Sequence, residues 1–134
     1  MPLTMRLSVL AAMVVALACS TGCTNGRVSE QDDVRGTVRT FLDQCAQDRV
    51  LNVLPTLVPA AQKVVAHAGS LTRGCSRILR LNAGTRPTAA QFAGSRLRVV
   101  HFDGALSRVA VDIGGQTTSV VLSRGTERWR IEGP

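Results

Sequence analysis

The chain has 134 residues, 16 of them basic and nine acidic, so its formal net charge is +7. That length fits a single domain with a real hydrophobic core. Aromatic residues make up only 3% of the chain, and tyrosine is absent. The scarcity argues against a nucleic-acid-binding protein, because such surfaces interleave basic residues with aromatic side chains that stack on bases. The absence of tyrosine excludes active sites that depend on a phenol.

The first residues have the pattern of a lipoprotein signal peptide. Arg6 precedes a run of apolar or small residues, 7–18, that only Ser8 interrupts. The run is too short to span a bilayer, which takes about 20 apolar residues, and it is typical of a secretion signal. The sequence LACSTGC follows and resembles a lipobox, in which a cysteine is acylated and becomes the new N-terminus. We therefore expect an exported protein held at the extracytoplasmic face of the cell membrane by acyl chains such as palmitate.

Two cysteines are candidates for acylation. Cleavage before Cys23 leaves Cys45 and Cys75 as an even pair, whereas cleavage before Cys19 leaves Cys23 as an additional thiol outside the cytoplasm. The sequence favours Cys23 and keeps Cys19 as the alternative. The corresponding organisation is a signal peptide over 1–22, a lipidated tether over 23–28 and one domain over 29–134.

Helical periodicity dominates the first half of this domain. A capping box that starts at Ser29 predicts a helix over about 30–48. Pro59 is placed to begin a second helix that ends near residue 68, and Thr72 to cap a third. One further helical turn is expected near residues 89–92. The apolar positions of the first predicted helix recur at helical spacing, at Val34, Val38, Phe41, Leu42 and Cys45.

From residue 95 the hydrophobic period changes to two, which predicts strands. Asp103-Gly104 and Gly114-Gly115 are turn signals that separate them, and the last strand contains Trp129. Four strands joined by short turns form an antiparallel meander. Helices followed by a meander predict an α+β fold, with about three N-terminal helices packed on a curved four-stranded sheet.

The pattern VxxFLxxC, the segment LVPAA, Gly74-Cys75 and the closing WRI resemble small actinobacterial lipoproteins whose mature domain is NTF2-like, the superfamily of SnoaL, ketosteroid isomerase and cystatin-like domains. The resemblance implies a cone-shaped sheet wrapped around the first helix, with a pocket at the open end. It implies no catalytic residues, because the ketosteroid-isomerase type of site needs a tyrosine.

Cys45 and Cys75 are predicted to form a disulfide. Each lies on the apolar face of a predicted helix, and an exported protein meets oxidising conditions. The bridge closes a loop that contributes about 3–4 kcal/mol in the chain-entropy model. A metal site would need further ligands, and His67 and His101 have no paired spacing. We therefore expect neither a metal nor another cofactor.

Three functions are compatible with this sequence. The first is a non-enzymatic binding or accessory module with a small apolar ligand in the cone, whose candidate lining residues are Val99, His101, Val111, Val120 and Trp129. The second is binding of anionic envelope polymers or lipid by the stretch 49–102, which holds eight basic residues and no acidic one; its candidate residues are Arg73, Arg77 and Arg80. The third is a small hydrolase or isomerase using His101 and Asp103, which requires both side chains in a pocket.

Overall fold

A computed structural model of the chain describes residues 25–126 and 128–133. The chain divides into two units, Met1–Glu30 and Gln31–Pro134. The predicted signal peptide and both candidate acylation sites, Cys19 and Cys23, lie outside the described residues.

The described residues contain helices first and strands second. The helices are α1 (Asn25–Ala46), α2 (Val50–Val53), α3 (Pro59–Ala66), α4 (Leu71–Ile78) and α5 (Ala89–Ala93), with a 3₁₀ turn at Leu54–Thr56. The strands are β1 (Arg96–Phe102), β2 (Leu106–Ile113), β3 (Gln116–Arg124) and β4 (Trp129–Ile131). The predicted α+β class is confirmed.

Helix α1 begins earlier than predicted. Because the helix already runs from Asn25, Ser29 lies inside it, and the capping box predicted at Ser29 is wrong. The expected buried face is confirmed, since Val34, Phe41 and the other apolar positions at that spacing are at most 4% exposed.

Helix α4 starts one residue before its predicted cap. Ser70 has an extended backbone, and its side chain accepts a hydrogen bond from the N–H of Arg73 at 3.3 Å. An N-cap needs that non-helical conformation. Thr72, predicted as the cap, lies within the first turn, where its carbonyl accepts a bond from the Ser76 hydroxyl. Pro59 opens α3 as predicted.

The four strands form one antiparallel sheet in the order β1-β2-β3-β4, which confirms the meander, and the sheet is not closed into a barrel. Gly114 and Gly115 connect β2 to β3 with φ values of 55° and 79°. Two consecutive residues with positive φ match the right-handed twist of hairpin strands. At the other edge, the carbonyl of Ile131 in β4 accepts a hydrogen bond from the N–H of Val58 at 2.9 Å.

A bulge in β1 changes the direction of its last residues. Val99 pairs with Val109, but His101 pairs with Arg108, so Val100 is an extra residue without a partner in β2. The bulge reverses the alternation beyond it. His101 is therefore exposed and Phe102 is half-buried against the core. The prediction that His101 lines the interior of the cone together with Val99 is wrong for this reason.

The core lies between the helices and the concave face of the sheet. One cluster of buried side chains joins α1, the segment 53–79, α5 and strands β2 to β4. The disulfide between Cys45 and Cys75 is confirmed and links α1 to α4, with a Cα–Cα distance of 6.4 Å. Both cysteines are buried.

Candidate functional site

The residues predicted to line a cone pocket lie mainly in the core. Val111, Val120 and Trp129 are 0%, 2% and 5% exposed, and Val99 is half-buried against the same cluster. A side chain that lined a water-sized cavity would keep accessible surface there. These side chains therefore contribute to the packing of the core.

The aromatic rings of Phe102 and Trp129 meet across the concave face. Their centroids are 5.7 Å apart and their planes are inclined by 45°. The rings come from β1 and β4, the two edge strands, which in a flat sheet would be about 14 Å apart at ~4.8 Å per strand. In the register, Phe102 lies opposite Ser107, and that row continues through Leu122 to Ile131, so Trp129 is offset by two residues along β4. The two rings therefore reach towards each other diagonally over the face that carries the core.

His101 and Asp103 form a pair on the surface. Nε2 of His101 is 3.5 Å from Oδ2 of Asp103, and the two side chains are 60% and 48% exposed. Oδ1 of Asp103 accepts hydrogen bonds from the N–H groups of Leu106 at 2.7 Å and Ala105 at 2.9 Å. These bonds, the one from Leu106 first, lower the pKa of the Asp103 carboxyl.

This carboxylate is therefore the acceptor of a turn, and its lowered pKa makes it a weaker base. The condition for acid–base catalysis, both side chains inside a pocket, is not met. His67, the other histidine, is also exposed, and its Nδ1 lies 2.7 Å from the carbonyl of Lys63 in the preceding turn of α3.

In the described part of the chain, no three or more histidine, cysteine and carboxylate groups lie close enough together to hold a metal ion. Within the same residues, no helix has both the length and the apolar character needed to cross a bilayer.

The basic stretch 49–102 lies on the surface as a set of unpaired cations. All eight basic residues are exposed, and within the described residues none of them forms an ion pair. By contrast, Arg35 and Arg39 on α1 pair with Asp32 and Asp43. The charge that is free to act on a partner is thus concentrated in the middle of the chain.

Several of these cations surround one concavity, here called the arginine pocket, with a volume of about 310 Å³. Arg73 and Arg77 are four residues apart on α4 and so lie on one helix face. Arg86 reaches the same concavity from the loop after α4. The complete lining is Arg73, Ser76, Arg77, Leu81, Asn82, Ala83, Gly84, Thr85 and Arg86.

A glutamine from the sheet holds the loop that forms one side of this pocket. Oε1 of Gln116 accepts a hydrogen bond from the N–H of Asn82 at 3.2 Å, and its Nε2 donates to Oγ1 of Thr85 at 2.9 Å. A further bond joins the N–H of Thr85 to the carbonyl of Asn82. The first residue of β3 therefore fixes the loop that positions Arg86.

The arginines of the pocket differ from the predicted basic patch in two respects. Arg73 and Arg77 are brought together as expected, whereas Arg80 is not among the lining residues. Arg80 has a φ of 53°, and the N–H of Leu81 bonds back to the carbonyl of Ser76. Arg80 therefore has the left-handed backbone conformation that commonly follows the last turn of an α-helix. Arg86 was missed, because the contact that places it depends on Gln116, 30 residues further along the chain.

A second concavity lies between α1 and β1, here called the α1 groove. It measures about 430 Å³ and is mostly apolar, with a lining of Asp32, Arg35, Gly36, Arg39 and Leu97. Its charged residues are already paired along the helix. The expected small apolar ligand thus has a candidate place outside the concave face of the sheet.

Comparison of the chain with models of protein families, with curated proteins and with solved structures gives no match. The chain's own residues are therefore the basis of its proposed function.

Proposed function

We propose that this protein is a non-enzymatic, lipid-anchored module that binds anionic groups of the cell envelope at the extracytoplasmic face of the membrane. The proposal depends on the eight basic side chains of the stretch 49–102, which are all exposed and, within the described residues, form no ion pair. Three of them surround one pocket. A surface of this kind attracts anionic headgroups and polymers.

The signal-like N-terminus supports the compartment, and the disulfide between Cys45 and Cys75 agrees with it. Disulfides persist in oxidising compartments and are rare in the cytoplasm of mesophiles. An acyl chain on Cys23, or on Cys19 in the alternative, would hold the domain beside anionic lipid, so a weak electrostatic interaction would suffice for contact with the surface.

We interpret the domain as a small NTF2-like cone. The order of helices followed by a four-stranded antiparallel meander supports this interpretation. Because side chains fill the concave face, the proposed binding function is assigned to the exposed basic side chains of the stretch 49–102 instead of the site that the superfamily would suggest.

Binding to vesicles tests the function. The chain from residue 23, with Cys23→Ser to remove the acyl chain, should bind phosphatidylglycerol-containing vesicles and not pure phosphatidylcholine, and binding should weaken steeply as salt rises. Replacing Arg73, Arg77 and Arg80 together by glutamine should weaken binding about 100-fold, since each basic residue near an anionic surface contributes about 1 kcal/mol.

The matched control replaces Arg108, Arg128 and Arg130, three exposed residues of the sheet half of the domain, by glutamine. It removes the same net charge from another region, so binding should fall much less. Equal losses in both triple variants would mean that only net charge acts, and an unchanged first variant would refute the proposal.

A further inference from the structure

We infer that the arginine pocket is a discrete site for a phosphate group, an inference that rests on the proposed function. A diffuse basic surface needs no particular arrangement of its charged groups, whereas the guanidinium groups of this pocket are held in defined places. Two guanidinium groups come from one face of α4, and the third comes from a loop that Gln116 ties to the sheet.

The lining contains three arginines and no carboxylate. Arg73, Arg77 and Arg86 provide planar guanidinium groups, which bind phosphate oxygens in pairs. Among the bonds of the described residues, none uses the N–H of Ala83 or Gly84. A ligand with several anionic oxygens fits such a lining.

Phosphate fits better than a carboxylate. Three cations around one pocket match a ligand that carries up to two charges, and a phosphate ester offers more acceptor oxygens than the two of a carboxylate. The volume of about 310 Å³ lies at the lower end of the range for small-ligand clefts, roughly 300–1,000 Å³. It leaves room beside the phosphate for a small headgroup such as glycerol.

The structure assigns unequal roles to neighbouring arginines. Arg86 lines the pocket although it lies outside the helix, whereas Arg80 follows Arg77 closely in sequence and does not. A diffuse patch predicts similar effects for both, because both are exposed and carry the same charge. A discrete site predicts a large effect for Arg86 alone.

The test uses the full mature protein, extracted from membranes in detergent and titrated with inorganic phosphate and with glycerol 3-phosphate at constant ionic strength. We expect saturable binding of both by calorimetry, with tighter binding of glycerol 3-phosphate if the source is a headgroup and equal binding if it is free phosphate. Arg86→Gln should weaken binding about tenfold or more, as for loss of one charge-assisted hydrogen bond. Arg80→Gln and Arg98→Gln should leave it unchanged.

Equal effects of Arg86→Gln and Arg80→Gln, or titrations that do not saturate, would overturn the discrete site. Vesicle binding that persists in that case would leave the proposed function standing. Thermal unfolding of each variant checks that the exposed substitutions leave the fold intact, so a loss of binding can be assigned to the pocket.

Discussion

Two glycines inside helices have opposite surroundings. A Cβ added at Gly36 in α1 would meet nothing within 4 Å, whereas one added at Gly74 in α4 would lie 3.0 Å from Cα of Val65 in α3. Gly36 thus leaves open space in the α1 groove, and Gly74 lets two helices approach closely.

We expect Gly36→Ala to raise the free energy of unfolding by about 0.5–1 kcal/mol, because alanine restricts the unfolded chain and favours the helix. Gly74→Ala should lower it, because overpacking against a backbone atom costs about 1–3 kcal/mol, more than the helix gains. Urea denaturation of both variants measures whether each substitution raises or lowers the free energy of unfolding. A stabilising Gly74→Ala would contradict the close packing of α3 on α4.

Asp103 should make the stability of its turn depend on pH. Its pKa is lower in the folded protein than the ordinary 3.8, because the N–H groups of Leu106 and Ala105 bond to the carboxylate. A lowered folded pKa stabilises the protein above the unfolded value, and this contribution is lost as pH falls through the folded value. The difference in free energy of unfolding between wild type and Asp103→Ala should therefore be constant down to about pH 5. It should then shrink and disappear as the pH falls below 3.8.

The matched variant is Asp103→Asn, which keeps an acceptor oxygen and does not titrate. The difference in free energy of unfolding between Asp103→Asn and Asp103→Ala should not shrink as the pH falls. Chemical denaturation at a series of pH values measures both differences. If the wild-type advantage over Asp103→Ala persisted undiminished at the acid end, the assignment of Asp103 as an ionised turn acceptor would be refuted.

At the scale of elements, Arg39 connects α1 to the junction of α5 and β1. Its Nη1 donates to the carbonyl of Ser95 at 2.8 Å, and its Nη2 donates to the carbonyl of Phe92 at 2.9 Å and to the Ser95 hydroxyl. Its Nε lies 3.2 Å from Oδ1 of Asp43, an ion pair without an aligned hydrogen bond. Its side chain is 32% exposed, so these bonds are partly shielded from water.

Arg39→Met should lower the free energy of unfolding by about 2–3 kcal/mol, because hydrogen bonds from a charged donor are worth about 1.5–3 kcal/mol. The carbonyl of Ser95 loses its bond from Arg39, while the carbonyl of Phe92 keeps its bonds from Ser95. Arg35→Met, one turn earlier on α1 and more exposed, should change it by less than about 0.5 kcal/mol. Denaturation midpoints compare the two. Equal losses would show that Arg39 acts only through general charge.

The kinds and order of the elements could be predicted, and their ends less well. Periods of three to four and of two residues indicate a buried face directly, so the buried positions of α1 and the order of the strands can be predicted from the sequence. The helix nevertheless begins five residues before the predicted start at residue 30. Ser29 resembled a cap, but the helix continues through it. The bulge at Val100 left no mark in the alternation, so the direction of His101 could not be read from the sequence.

At the scale of the whole molecule, the sequence predicted where the charge is concentrated but not which arginines meet. The excess of basic residues over 49–102 is visible in the sequence. The pocket depends on a contact between Gln116 and the loop 82–85, which is a long-range interaction without a local signature. The same is true of the filled concave face, because the size of a cavity depends on the packing of all its walls.

The central claim is that an exported, lipid-anchored domain presents this basic surface to the envelope, and the intact mass of the protein from its native membrane tests it most directly. We predict a chain that begins at Cys23, carries acyl chains and gains two hydrogens on reduction of the Cys45–Cys75 bridge. A start at Cys19 would revise only the site of acylation. An unacylated mass that retains residues 1–22, or two free thiols before reduction, would contradict the account, because neither the compartment nor the anionic partner at the membrane would then be supported.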